Sequence, residues 1–449
     1  MSDIPFVNAH MPPTVVATTS REASAPSVDV REVNATPDLL RFLVILLQLG
    51  LILFVFRAFK LEERAFLRLA ALVFAGFAVQ YWLPFRWREP FCILVSLGGA
   101  FVLLEPLPAA LLLGTGALFY GVLASPLSFR VRAGIVVAFG AALAWGRASG
   151  GFGVPYQFWP VLGAIFMFRM MIYLYELRFA TRSPSLKEYV SYFFMLPNYY
   201  FLLFPVIDFQ TLRRSYYRRN VNDIAQQGVH WIVRGGIQLL AYRLIYHLKG
   251  PSHAPEVITS PGALMIAMVT TYLLYLRVSG QFHIIVGLLH LFGYDLPETH
   301  RRYLLAHSLT DFWRRINIYW KDFMVKLVYF PVYFRFRKAG EVRAQVVATG
   351  LVFVTTWLLH SYQWFWLRGD VLLTWPDTLF WAILGTLVVG NVLLEHRRKG
   401  RRDAATWPAR LRLGVQTAGT FCLITTLWYL WNAPSLAEWW DLMTWWTIG

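Results

Sequence analysis

LLRFLVILLQLGLILFVF, Leu39 to Phe56, is a run in which Arg41 and Gln48 are the polar interruptions. A helix crossing the hydrocarbon core of a bilayer needs about 20 mostly apolar residues, so this run reads as a membrane-spanning helix. Similar runs recur as far as Leu430, among them Phe66–Leu83, Leu107–Leu123, Phe158–Tyr175, Tyr192–Ile207, Leu264–Leu276, Leu372–Leu394 and Leu413–Tyr429. Only 15% of the 449 residues are charged and 57% are hydrophobic, against about 25% charged in a soluble domain. Mean hydropathy is +0.48. The fold class that follows is all-α: a polytopic transmembrane helical domain with roughly eleven to fourteen membrane-embedded helices, some broken or re-entrant. Residues 1–37, rich in Ser, Thr, Ala, Val and Pro, read as a disordered N-terminal tail without a cleavable signal. Residues 38–449 form the transmembrane domain.

A formal net charge of +17 raises the question of nucleic acid, because basic surfaces attract phosphate. The positive residues cluster instead between apolar runs, at Arg57–Arg68, Arg213–Arg219, Arg335–Arg343 and Arg397–Arg412. Such loops are retained on the cytoplasmic side, which accounts for the charge and argues against nucleic-acid binding. Arg335–Arg343 and Arg397–Arg412 then both face the cytoplasm, joined by an out-and-back pair of helices. Cys92 and Cys422 lie far apart in apolar runs, without zinc-finger spacing. His283 and His290 are seven residues apart and leave any ligand set incomplete, so no metal is expected. GRASGGFG, Gly146–Gly153, lacks the strand–helix setting of a dinucleotide fingerprint and the Lys-Ser/Thr of a phosphate loop, and reads as an inter-helix loop.

Two stretches break the apolar monotony. In LTDFWRRINIYWKDF, Leu309–Phe323, a helical period places Leu309, Phe312, Trp313, Ile316, Tyr319, Trp320 and Phe323 on one stripe. Asp311, Arg314, Arg315, Lys321 and Asp322 fall opposite, with Asn317 at the edge. The pattern predicts one amphipathic helix. It either lies at the membrane interface or folds inside the domain with its polar face lining a wet cavity. In TTWLLHSYQWFWLRGD, Thr355–Asp370, His360 sits deep in an apolar run beside Ser361. An ionisable group there is either a neutral histidine bonded to a neighbouring helix or a functional group, and imidazole suits proton abstraction near neutral pH.

Taken together, SGQFHIIVGLLHLFGYDLPETHRRYLLAHSLTDFWRRINIYWKDFMVKLVYFPVYF, Ser279–Phe334, and the later His360 resemble the membrane-bound O-acyltransferase (MBOAT) family. Bacterial members carry a glycine-punctuated helix, then FGF-LPENF, then S-TDFWRRWHIS and an aromatic-rich stretch. Ser279–Gly280, Phe292–Gly293–Tyr294, Leu296–Pro297–Glu298 and Ser308–Arg315 reproduce that order. His360 matches the family's histidine in a hydrophobic helix, and the motif core spans residues 279–361. Asn317 stands where the polysaccharide-acylating branch has His, as in lipid- and sterol-acylating relatives, and LHS replaces WHG around His360.

The resemblance implies an acyl-CoA-dependent O-acyltransferase with no bound cofactor. His360 is implied as general base, with Asn317 orienting the acceptor or donating through its amide. Asp311, Trp313, Arg314, Arg315, Trp320 and Ser361 are implied to line the substrates. The acceptor implied is a hydroxyl on a cell-envelope glycan, or on a carrier serving an extracytoplasmic esterase-like partner, with a lipid hydroxyl as the alternative. A bacterial inner (cytoplasmic) membrane is the implied location. The reading from another class is a transporter or scaffold in which His360 is structural.

Overall fold

In lipid a backbone must satisfy its own N–H and C=O groups, which leaves the helix as the default for every long apolar run. The computed structural model describes residues 30–180, 182–183, 185–249, 258, 260–397 and 407–444. Its α-helices, in chain order, begin with α1 Val30–Asn34, α2 Leu39–Ala58, α3 Arg64–Gln80, α4 Phe85–Leu103, α5 Pro106–Ala124, α6 Phe129–Ala148 and α7 Phe158–Leu177. Then come α8 Leu186–Phe193, α9 Phe209–Ser215, α10 Val221–Lys249, α11 Pro261–Leu273, α12 Leu276–Leu291, α13 Leu309–Arg315 and α14 Ile318–Met324. The last are α15 Phe330–Phe336, α16 Glu341–Arg368, α17 Trp375–Arg397, α18 Trp407–Trp431 and α19 Leu436–Met443. Among the described residues the extended pairing is a single bridge, Tyr216 to Tyr294.

Among the described residues, eight helical stretches are long and apolar enough to cross a membrane, with α11 and α12 counted as one run, Pro261–Leu291. Leu43, Leu47, Leu51 and Phe54 of α2 are exposed, as are Leu118 of α5 and Val137 of α6. Such apolar stripes have no place in water and suit lipid. The chain is an integral, multi-pass, all-α membrane protein. Helix α7 is almost wholly buried and forms the centre, whereas α6 lies at the periphery.

Helices α10 and α12 approach most closely. A Cβ built on Gly287 would sit 2.6 Å from the Gly228 carbonyl oxygen, and one on Gly235 2.5 Å from that of Gly280. The glycines recur at seven-residue intervals on both helices and pair in antiparallel register. Small residues that admit backbone-to-backbone contact are a main source of helix association in lipid. Helices α16 and α17 form the expected out-and-back hairpin, turning through Gly369–Thr374. Residues 398–406 of the Arg397–Arg412 cluster fall outside the described residues. Gly150, Gly151 and Gly153 all take positive φ, as the inter-helix loop after α6 requires.

Three expectations need correction. Tyr192–Ile207 is not a span: α8 ends at Phe193, a short 3-10 turn follows at Leu196–Tyr199, and the chain then runs irregularly to α9. This buried backbone is satisfied by Arg169 of α7, which donates to the carbonyls of Tyr192 and Phe193 and to Asn198 Oδ1. Irregular backbone is tolerated at depth where protein supplies the missing partners. Leu309–Phe323 is not one helix, as described below. Of the expected tail, residues 1–29 lie outside the described residues, but its end is folded: α1 docks through Asn34, whose amide donates to the Tyr217 carbonyl.

The anchor for that end is Arg88, 2% exposed. Its guanidinium donates to the carbonyls of Ala35, Tyr81 and Leu83 and to the Tyr217 hydroxyl. Arg88→Met keeps the volume and removes every donor. Each buried acceptor left unpaired costs about 1–3 kcal/mol, so the variant is expected to lose thermal stability in detergent, seen as a lowered Tm. An unchanged Tm would show that the four acceptors find other partners.

Candidate active site

Helix α13 starts at Ser308, whose hydroxyl accepts from the Asp311 backbone N–H. It stops after two turns because the next backbone groups are claimed from elsewhere. The Arg315 carbonyl accepts from the Arg301 N–H at 2.9 Å, and the Ile318 N–H donates to the Thr299 carbonyl at 2.8 Å. Between them Asn317 adopts left-handed backbone, φ 40° and ψ 64°. Its side-chain oxygen accepts from the Trp320 N–H at 3.2 Å and starts α14. Asn tolerates this conformation better than most side chains and caps well. The expected single amphipathic helix is thus two short helices strapped to loop 297–301, with the Tyr319 hydroxyl donating to the Pro297 carbonyl as a further strap.

The aromatic stripe survives the break. Phe312, Trp313, Tyr319 and Phe323 are buried in protein, so the segment lies within the domain and not on its lipid surface. Lys321 departs from the expected polar face: it is buried and paired to Asp322 at 2.7 Å. Asp311, Arg314 and Arg315 do face open space. They line a cavity of about 940 Å³ together with Trp231 and Arg234 of α10, Glu298, Arg301, Arg302 and Ile318. Five arginines therefore face two carboxylates, and both carboxylates are committed. Asp311 holds Arg315 at 2.7 Å and Glu298 holds Arg234 at 2.9 Å. Arg302 sits in left-handed backbone at φ 45°, an uncommon state for a bulky side chain that recurs at binding sites.

Loop 292–308 carries further buried polar groups. Burial works to raise the Asp295 pKa, yet hydrogen bonds from Arg219 and Arg218 hold the carboxyl below its usual range. Burial above all, with His283 and Arg234 adding to it, pushes His300 far below the usual imidazole range. His283 and His290 each turn Nδ1 onto a carbonyl one helical turn back, Ser279 and Val286 respectively. Among the described residues no group of three or more His, Cys, Asp or Glu side chains is arranged to hold a metal ion.

His360 lies on α16, half-buried, between two indoles: Trp431 in edge contact at 5.1 Å and Trp381 at 5.5 Å between ring centroids. Its Nδ1 is buried without a hydrogen-bond partner. Nε2 of His283 and of His290 is unpaired too, but each of those rings bonds through its Nδ1. Ser361 is turned elsewhere and donates to the Leu372 carbonyl, tying the α16–α17 turn. Trp313 packs on Phe353 at 4.7 Å. Trp320 packs on Phe168 and Phe323, and its indole N–H donates to the Thr356 hydroxyl at 3.4 Å. Thr356 is one turn before His360.

No hydrogen bond joins Asn317 to His360 among the described residues. They are connected indirectly, through Trp320 and Thr356. Helix α17 measures the separation of the two polar centres. Trp381 touches His360, Asn391 donates to Thr310 at 2.7 Å, and Glu395 lies 3.8 Å from Arg314. Fourteen residues separate Trp381 from Glu395, about 21 Å at 1.5 Å per residue. The arginine cavity thus lies at the basic end of the α16–α17 hairpin and His360 toward its turn.

Arg234, Arg301, Arg302 and Thr356 were not singled out from sequence, and Glu298 only as part of the Leu296–Pro297–Glu298 match. Arg234 offered a signal, since a lone arginine in the apolar, glycine-flanked WIVRGG is an intramembrane charge that asks for a partner. The chain matches no protein-family model, and no curated protein matches it.

Proposed function

We propose that this protein is an acyl-CoA-dependent O-acyltransferase that works across the bilayer, with His360 as general base. The observation that carries the reading is the pairing of an arginine-lined cavity with a half-buried imidazole, its Nδ1 buried and unpaired, about 21 Å further along one helix. A donor whose phosphates are held by Arg234, Arg301, Arg302, Arg314 and Arg315 needs a long arm to bring its reacting atom to His360. The phosphopantetheine arm of CoA is such an arm, with a thioester at its tip. Guanidinium groups suit phosphate because their paired donors match its geometry.

The chemistry is balanced with the chain's own groups. His360 removes the proton of an acceptor hydroxyl, and the oxygen attacks the thioester carbonyl. The C–S bond breaks as the ester forms, and the imidazolium returns the proton to the departing thiolate. Such a base contributes about 10²–10⁴-fold. The indoles of Trp381 and Trp431 limit water at the reacting atoms, which protects the thioester. Asn317 belongs to the donor side of this path, where its capped position fixes the start of α14 and hence Trp320. With the basic ends inside by the charge rule, the donor enters from the cytoplasm and the acceptor meets His360 nearer the outer face. That order favours an extracytoplasmic hydroxyl, on a cell-envelope glycan or a carrier serving an esterase-like partner, in a bacterial cytoplasmic membrane.

The test is direct. Purified protein in nanodiscs is given acyl-CoA of graded chain length, and free CoA thiol is measured. Arg301→Ala and Arg302→Gly, the second keeping the left-handed backbone, are expected to raise the KM for acyl-CoA about tenfold or more each, from the loss of a charge-assisted contact, with kcat little changed. Absence of both binding and turnover with every acyl-CoA sinks the enzyme reading and leaves a transporter or scaffold. Mass spectrometry of glycans and lipids from cells with and without the protein decides the acceptor, and an acylated lipid would replace the glycan.

A further inference from the structure

We infer that Asp377 is a positioning residue for His360, acting through Trp431; this rests on His360 being the base proposed above. Asp377 lies in the first turn of α17 and is 3% exposed. Its Oδ1 accepts the Trp431 indole N–H at 2.7 Å. The same indole stands edge-on against the His360 ring at 5.1 Å. Trp381, one turn after Asp377 on α17, covers another side of that ring at 5.5 Å. The indole N–H groups of Trp381 and Trp357 also face this carboxylate, without reaching hydrogen-bond geometry. Oδ2 of Asp377 remains buried and unpaired.

The physical sense lies in what His360 lacks. Its Nδ1 has no hydrogen-bond partner, so no polar contact on that edge sets the rotation of the ring. Orientation therefore comes from the indole walls, and the polar contact that fixes a wall is the one from Trp431 to Asp377. Phe380 stacks on Trp431 at 4.6 Å and 8°, which leaves the N–H bond to set the indole's rotation. A base works only when its lone pair meets the hydroxyl in a near-attack arrangement, and small misplacements are expensive. Supporting contacts of this kind hold the reacting groups of a site in their productive geometry.

The test uses the full chain in detergent and two variants that alter one contact from opposite ends. Asp377→Asn keeps an acceptor oxygen without the charge; Trp431→Phe keeps a ring without the donor. The first readout is the rate at which diethylpyrocarbonate modifies His360, followed by peptide mass spectrometry, and it needs no substrate. Both variants are expected to change that rate severalfold, and the double variant no further than either alone, as coupled contacts require. In the acyl-transfer assay kcat is expected to fall about ten- to a hundredfold with the KM for acyl-CoA unchanged. Variants with native Tm and unaltered His360 reactivity, or strictly additive effects, overturn the inference. Should Asp377→Asn fail to fold, Asp377→Glu, which keeps the carboxylate and displaces it by one methylene, takes its place in the same reactivity measurement. If His360→Ala retains full activity while the variants still change His360 reactivity, the base assignment fails and the positioning geometry stands.

Discussion

His360→Ala is expected to lower kcat for acyl transfer by about 10²–10⁴-fold, the usual contribution of a positioned general base. The KM for acyl-CoA is expected to hold, because the arginines that would bind its phosphates lie about 21 Å away along α17. That split identifies an interaction made in the transition state and not in ground-state binding. The measurement is single-turnover release of CoA thiol, with Tm as the folding control. Stability should not fall far, since the imidazole makes ring contacts and its buried Nδ1 has no bond to lose. His360→Gln sharpens the comparison, because it retains polarity without basicity. Wild-type kcat in a folded His360→Ala variant would remove His360 from the mechanism.

Gly287→Leu is expected to prevent folding. Even the Cβ of alanine at this position would lie 2.6 Å from the Gly228 carbonyl oxygen and 2.6 Å from Ile232 Cγ1. The first of these is backbone and cannot rotate away, so α10 and α12 must separate. Overpacking of a tight core typically costs about 1–3 kcal/mol, occasionally more, and Gly287→Ala falls in that range or above it. The consequence extends to the site, because α10 carries Trp231 and Arg234 to the cavity and Gln238 to His283. The informative pair is Gly287→Ala beside Gly50→Ala on α2, where nothing lies within 4 Å of the added atom. Gly50→Ala is expected to be neutral or slightly stabilising, since alanine is the better helix former. Size-exclusion profiles and Tm in detergent separate them. Equal stability of both variants would show that the α10–α12 contact is looser than described.

The same contrast shows what a chain of this kind reveals locally. The long helices follow from length and apolarity alone, because lipid leaves an apolar backbone no other way to satisfy its polar groups. Leu39–Phe56 falls within α2 and the α16–α17 hairpin lies between its basic ends for that reason. Tyr192–Ile207 had the apolarity of a span but not its conformation. A buried guanidinium from α7, distant in sequence, satisfies that backbone in place of helical bonds.

The candidate site divides along the same line. Sequence alone picked out Leu309–Phe323 as amphipathic, at the interface or inside the domain, and His360 as an ionisable group costly to bury, and it placed Asp311, Arg314 and Arg315 on a polar face. The break at Asn317 was beyond it, because the periodicity of Leu309–Phe323 carries no trace of the Thr299 and Arg301 backbone groups that interrupt the helix. Nor does any local pattern show that Arg234 reaches the same cavity as Arg314, or that Asp377 meets a tryptophan 54 residues away. Composition and period are properties of neighbours along the chain. A cavity, and a buried carboxylate with its indole, exist only where helices distant in sequence have packed, so tertiary structure decided them.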